Sequence, residues 1–374
     1  MTMLLMSRKT FSPNFSPNPD IEKLARTFMY IELSIIFLMT SSVLFDNLQI
    51  RRGKMQNYFK RKVFKIMPFR DAVRYISTKN RLKRPFKVTI EITNACNSDC
   101  IMCPRQSMTR PVKNMDFELY KKVIDDCGRI GVKIIQPFNF GEPLMHSKLG
   151  EFIRYAKEHT RSRVQISTNA ALLNDERAME ILDSGLDRIN IDIDGITKGT
   201  YESVRKNLDF ETVVQNTKEF IELKKRLNKN IFITVSIINM NETSGEIEKF
   251  KKHWGPLVNR VLDVKYNTWI GSVGERREVV GKSGKFNCPC KMLWDQMVIL
   301  QDGRVALCCL DYDGRVIVGD MQNESILNVW NGKALNAIRQ KQIELGFDEI
   351  PTCRACNQYI YMEGTSWQYM WGGF

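Results

Sequence analysis

The stretch Thr93-Asn94-Ala95-Cys96-Asn97-Ser98-Asp99-Cys100-Ile101-Met102-Cys103-Pro104 constrains this chain more than any other. Its three cysteines, spaced Cys-x3-Cys-x2-Cys, come straight after an apolar run that reads as a strand. Soft thiolates are the ligands that iron-sulfur clusters select, and three on one short loop can hold three irons of a [4Fe-4S] cube. The fourth iron is then left for a small molecule, and the chemistry is expected there. A zinc knuckle or a redox dithiol is the competing reading. It normally needs a fourth Cys or His close by, and none occurs in the twenty residues after Cys103.

At 374 residues and 43% hydrophobic, the chain can bury a large core, as one big domain or two smaller ones. Its cysteines group as Cys96/Cys100/Cys103, Cys288/Cys290, Cys308/Cys309 and Cys353/Cys356, with Cys127 alone. Such clustering reads as metal or iron-sulfur ligation in a reducing cytosol. His146, His159 and His253 show no metal-ligand spacing, so cysteine is the ligand type. The net charge of +14 suggests nucleic acid until it is located. Residues 51–87 hold fourteen Lys or Arg against Asp71 and carry +13 of it. The basicity belongs to an N-terminal extension, and no nucleic-acid partner is expected.

That extension, residues 1–85, opens with a polar, Pro/Asn-rich tract. Phe28 to Phe45 follows, eighteen residues with the single charge Glu32, near the length a membrane span needs. With the basic segment behind it, this stretch can meet a membrane and keep the rest cytoplasmic. A buried helix, or translated sequence ahead of a start at Met55 or Met67, is the plainer reading. From Lys87 the pattern turns regular: strands at 87–93, 132–138, 163–167, 188–193, 231–237 and 261–266 alternate with helices at 117–127, 149–158, 175–183, 210–227 and 244–253. Gly128 and Gly131 are read as ending the first helix. Six such units predict an α/β fold, a partial (β/α)6 barrel over 86–270 with ligands at the C-terminal strand ends. A Gly-rich linker (271–285), a small cysteine-rich unit (286–361) and an aromatic tail (362–374) complete the chain.

The strand ends carry polar motifs in a set order. Phe140-Gly141-Glu142-Pro143 follows strand two, Ser167-Thr168-Asn169 ends strand three with Ala170 next, and Asn190-Ile191-Asp192-Ile193-Asp194-Gly195 lies on strand four. With the cysteine loop in front, this series resembles the radical S-adenosylmethionine (SAM) superfamily. It matches that family's GGEP turn with Phe140 for the first glycine, its Ser/Thr-Thr-Asn-Gly motif with Ala170 for the glycine, and its Ser-x-Asp-Gly with Asp192 for the serine. The resemblance implies that Cys96, Cys100 and Cys103 hold a [4Fe-4S] cluster whose open iron binds SAM. It implies a SAM site of Met102 (against adenine), Gly141 and Glu142 (ammonium), Ser167 and Asn169 (the SAM-side motif), and Asp192 (ribose hydroxyls). One electron would then split SAM to methionine and a 5′-deoxyadenosyl radical, which abstracts hydrogen from the substrate.

Cys290, Cys308, Cys353 and Cys356 flank a hairpin pattern, Trp294 to Val305, with its turn at Asp302-Gly303. Four thiolates can close every iron of a second [4Fe-4S] cluster; a zinc ribbon is the alternative. Cys308-Cys309-Leu310-Asp311 and Gly319-Asp320-Met321 before Ile326–Asn331 resemble the SPASM/twitch C-terminal domains, and closely the shortened twitch form with one auxiliary cluster, as in 2-deoxy-scyllo-inosamine dehydrogenase-type enzymes. Cys309 can replace Cys308 as ligand, and Cys127 is read as a core thiol. The resemblance implies an oxidoreductase acting on a sugar or cyclitol alcohol, with the auxiliary cluster as electron acceptor and a donor such as ferredoxin or flavodoxin. A peptide-modifying maturase is the rival enzyme, and a zinc-stabilised binding protein the rival of another class.

Overall fold

The computed structural model describes residues 83–276 and 289–356. The 28–45 stretch, the basic segment up to residue 82, Cys288, most of the linker and the aromatic tail lie outside the described residues. Among the described residues no helix is long and apolar enough to cross a membrane.

Six parallel strands, β1 (Lys87–Ile90), β2 (Ile134–Gln136), β3 (Arg163–Thr168), β4 (Arg188–Asp192), β5 (Phe232–Asn239) and β6 (Arg260–Lys265), pair each with the next. Their buried apolar positions are Val and Ile, with Thr89, Thr168 and Ser236 buried among them, and β6 at the edge has no buried residue. Helices α1 (Phe117–Ile130), α2 (Leu149–His159), α3 (Asp175–Asp183), α4 (Lys198–Val204), α5 (Phe210–Arg226) and α6 (Ile247–Trp254) form the crossovers. The expected partial barrel is therefore present, with strand ends shifted by one to three residues.

Two local differences have physical causes. The first helix does not stop at Gly128 but runs on to Ile130 and ends at Gly131, whose φ of 72° suits a left-handed cap. Gly128 is needed for close packing: a Cβ there would lie 2.3 Å from the His159 carbonyl oxygen. Helix α4 is absent from the sequence reading because seven residues give no apolar period; Thr197 caps it by accepting from Thr200 N.

The C-terminal part adds α7 (Met292–Asp295), β7 (Gln296–Ile299), β8 (Arg304–Ala306), β9 (Ile317–Asp320), α8 (Ile326–Asn331), α9 (Lys333–Ile343) and α10 (Pro351–Arg354). Strands β7 and β8 form the expected hairpin, turning at Gly303 with φ 91°. Strand β7 also runs parallel beside β1, so one sheet in the order β6-β5-β4-β3-β2-β1-β7-β8-β9 serves both parts. The pairing satisfies the edge of β1 and fixes the C-terminal cysteines relative to the strand that leads into the cysteine loop. Gly319 lets α8 press onto β9, since a Cβ there would meet Val329 at 2.5 Å.

Candidate active site

The cysteine loop leaves the top of β1 and is braced by residues far away in sequence. The tract Val204–Asn207, where α4 ends, lines one side: Ile101 N donates to Val204 O (3.0 Å), Asp99 N to Lys206 O (3.2 Å), and Asn207 Nδ2 to Asp99 (2.9 Å). Ser98 Oγ donates to Lys206 O (2.9 Å) and lies 3.0 Å from Cys100 Sγ. On another side Trp269 Nε1 donates to Met102 O (2.7 Å), while the Met102 side chain is buried against Val204, Met240 and Tyr266. Gly141 closes the floor. Its φ is 93°, and a Cβ would lie 2.7 Å from the carbonyl oxygens of Thr93 and Ala95. Phe140, which replaces the family's first glycine, stacks edge-on against Trp269 and Tyr312.

Burial pushes the Cys96 thiol up to about 11 and Cys103 to about 12, and the neighbouring cysteines add to both. Clustered, desolvated thiols ionise only when a cation is supplied. This donor set fits an iron-sulfur cluster.

Behind the loop, the strand ends present a polar row. Ser167 on β3 stands opposite Asn190 on β4, and Asp192 on β4 opposite Ser236 on β5. The Ser167 hydroxyl donates to Asp192 (2.8 Å), as does that of Ser236, and Asn190 Nδ2 donates to Ser167 Oγ (2.9 Å). Asn190 Oδ1 is buried with no hydrogen-bond partner among the described residues. A buried acceptor left open among these hydroxyls and Asp192 needs a donor from outside the chain, which a ligand hydroxyl such as a ribose carries. Asn190 and Ser236 were not among the candidates; only the strand register reveals them.

Glu142 is 2% exposed and links two strand ends. It accepts from the Thr168 hydroxyl (2.6 Å), Leu144 N (3.0 Å) and Asn169 N (2.8 Å). Burial raises its carboxyl to about 7. Its carboxylate is thus engaged within the protein, where the resemblance places an ammonium contact. Asn169 Nδ2 reaches Asn97 in the cysteine loop (2.8 Å).

The second cysteine group lies beyond β1. Burial drives the Cys290 thiol well up, and Cys356, Cys353 and Cys309 add to it. Burial likewise raises Cys308, with Cys309, Cys290 and Cys356 as charged neighbours. These cysteines, Cys309 among them, are thus electrostatic neighbours. Cys309 packs beside Val298, Leu300 and Ala306 and donates to Met292 Sδ (3.8 Å). Gln342, fully buried and not foreseen, accepts from Cys290 N (2.9 Å) and donates to Cys353 Sγ (3.4 Å). Asp311 accepts from Arg315 N and Val316 N and so shapes the turn after Cys308-Cys309.

A buried node joins the two groups. Arg110, in the loop after the first cysteines, binds both oxygens of Glu91 (2.6 and 3.0 Å), Gln301, and Tyr312 O (2.9 Å). Asp313 accepts from Thr109 N at 2.7 Å.

This barrel with its cysteine loop is that of a radical SAM enzyme. The radical SAM superfamily model matches residues 90–252, and the SPASM iron-sulfur cluster-binding domain matches 288–357. The chain therefore carries a radical SAM domain and a C-terminal SPASM domain, which imply [4Fe-4S] clusters and SAM as cofactors. It is 28% identical over 167 residues to GTP 3′,8-cyclase of Chlorobaculum tepidum, covering 44% of this chain and 50% of that protein. The chain spans about half the length of that curated relative. Among solved structures it is similar to BtrN in complex with AdoMet and 2-DOIA (TM-score 0.51, 16% identity, 73% of this chain and 93% of that one). It is also similar to Streptococcus suis SuiB bound to precursor peptide SuiA (TM-score 0.56, 14% identity, 85% and 80%).

Proposed function

We propose that this chain is a radical SAM oxidoreductase that takes a sugar or cyclitol alcohol to the ketone, with Cys96, Cys100 and Cys103 holding the SAM cluster and Cys290, Cys308, Cys353 and Cys356 an auxiliary one. When bound, the first cluster with SAM supplies a 5′-deoxyadenosyl radical and the second an electron sink. The protein's own share is to hold, orient and exclude. Asn190, Asp192, Ser167 and Ser236 offer the ribose both acceptors and donors; Phe140 packs edge-on against Trp269, which holds Met102 O, and against Tyr312.

The neighbouring C-terminal cysteines, four of them taken as ligands, support this reading. A complete donor set leaves no iron for substrate, which suits an electron acceptor. BtrN, similar in fold, was solved with 2-DOIA, which favours a small polar substrate. A peptide is the second substrate class, because SuiB was solved with its precursor peptide.

The deciding experiment uses anaerobically reconstituted protein with candidates deuterated at the alcohol carbon. Deuterium should appear in 5′-deoxyadenosine together with a ketone product. Transfer from a labelled peptide and from no sugar or cyclitol would overturn the alcohol reading.

A further inference from the structure

Arg205 is a charged side chain that the reaction scheme leaves unused. It sits at the C-terminal end of α4, only 8% exposed. Its Nε donates to Asp194 Oδ2 (2.8 Å), and its Nη2 lies 2.6 Å from the same oxygen. Asp194 is fully buried, and its other oxygen accepts from Ile238 N (2.6 Å). With one edge of the guanidinium committed, Nη1 points at Cys100 Sγ, 3.8 Å away. One turn earlier on α4, the Tyr201 hydroxyl is buried with no hydrogen-bond partner among the described residues.

The backbone around Arg205 leaves it little freedom. Its N donates to Tyr201 O (2.8 Å), while Val204 O and Lys206 O on either side accept from Ile101 and Asp99 of the cysteine loop. Arg205 is therefore gripped by the loop whose sulfur it faces. An arginine needed only to neutralise Asp194 has no reason to present its spare N–H groups to a thiol.

We infer that Arg205 is a positioning residue that acts through Cys100 to set the reduction potential of the SAM cluster. Hydrogen bonds to cluster sulfurs and local positive charge both favour the reduced state. Asp194 holds the guanidinium in the orientation that delivers its N–H to sulfur. The inference rests on the proposed assignment of Cys100 as a cluster ligand.

The test is an electron-paramagnetic-resonance-monitored redox titration of the full reconstituted chain, comparing wild type with Arg205→Lys and the paired variant Asp194→Asn/Arg205→Gln. Lysine keeps the ion pair but loses the N–H directed at sulfur; the paired variant removes both charges without stranding a buried carboxylate. In both, the cluster signal that responds to SAM should move to lower potential. At a fixed potential its reduced fraction should fall about tenfold, equivalent to about 59 mV for a one-electron couple, with the auxiliary signal unmoved. Full iron content with an unchanged midpoint in both variants would overturn the inference. So would failure of both variants to assemble the SAM-responsive cluster, since Arg205 would then be structural. Absence of any SAM-responsive signal in wild type would instead sink the assignment of the three cysteines.

Discussion

The two cysteine groups of this chain are built by opposite strategies. The front group comes from eight consecutive residues, Cys96 to Cys103, on a loop whose sequence already contains the ligand spacing. Its support is remote: Val204–Asn207 reaches it from the end of α4, and Gly141 and Trp269 from the loops after β2 and β6. The rear group is the reverse. Its cysteines span Cys290 to Cys356 and come from segments far apart in the chain, while Gln342, which bonds Cys290 N and Cys353 Sγ, lies on the helix that precedes Cys353. A site that must leave one metal position open gains from a local, preformed ligand set, because the remaining space is free for cofactor and substrate. A site closed on all sides can be assembled from distant segments. Arg110 then ties the two together through Glu91 and Gln301.

The sharpest way to break this contrast is to remove thiols from each side. Replacing Cys96, Cys100 and Cys103 together by Ala should abolish conversion of SAM to 5′-deoxyadenosine while the rear cluster persists. Cys290→Ala should lose about half of roughly eight irons yet keep measurable SAM cleavage. Iron and sulfide analysis with chromatographic detection of 5′-deoxyadenosine reads both. Cleavage that survives in the triple variant would reverse the roles given to the two groups.

A smaller effect probes how the front site is supported. The Glu142 carboxyl is raised to about 7 by burial, against an ordinary value of 4.5. Between those pH values the folded chain keeps a proton that the unfolded chain has released. The associated stability is therefore fully present below pH 4.5 and lost as pH rises through 7, amounting to about 3 kcal/mol. Urea titrations of the cluster-free chain at pH 5 and 7.5 should show wild type losing this increment relative to Glu142→Gln. Equal pH slopes in the two proteins would show that Glu142 is ionised throughout, stabilised by its three donors.

What the sequence made legible follows the same divide. The cysteine spacing, the strand-helix alternation and the turn at Asp302-Gly303 are local patterns, and the structure contains all three. The helix Ile326–Asn331 was expected only through the resemblance to the SPASM/twitch domains, and the structure contains it. Arg205, Ser236, Trp269 and Gln342 were not legible. Each is a single polar or aromatic residue without period or motif, and its role exists only once the fold brings it to a partner distant in the chain: Arg205 to Cys100, Ser236 to Asp192, Trp269 to Met102 and Gln342 to Cys290. Gly128 misled for a related reason. A glycine within a helix looks like a stop signal, and only the neighbouring His159 carbonyl shows that it is a point of close approach.

Ala170 gives the finest comparison, since it stands where the resembling motif has glycine. Its φ is +59°, in the left-handed region that costs a non-glycine residue about 1 kcal/mol. Its methyl is fully buried, however, which contributes about 0.8 kcal/mol, and alanine also lowers the entropy of the unfolded chain. Asn216 Nδ2 holds the strained turn by donating to the carbonyls of Ala170 (2.9 Å) and Ala171 (3.2 Å). These contributions nearly cancel, so Ala170→Gly should change the unfolding free energy by less than about 1 kcal/mol, measured by urea titration. A gain well beyond that would show that strain dominates here and that the strand-three end is held under tension by the cysteine loop it supports.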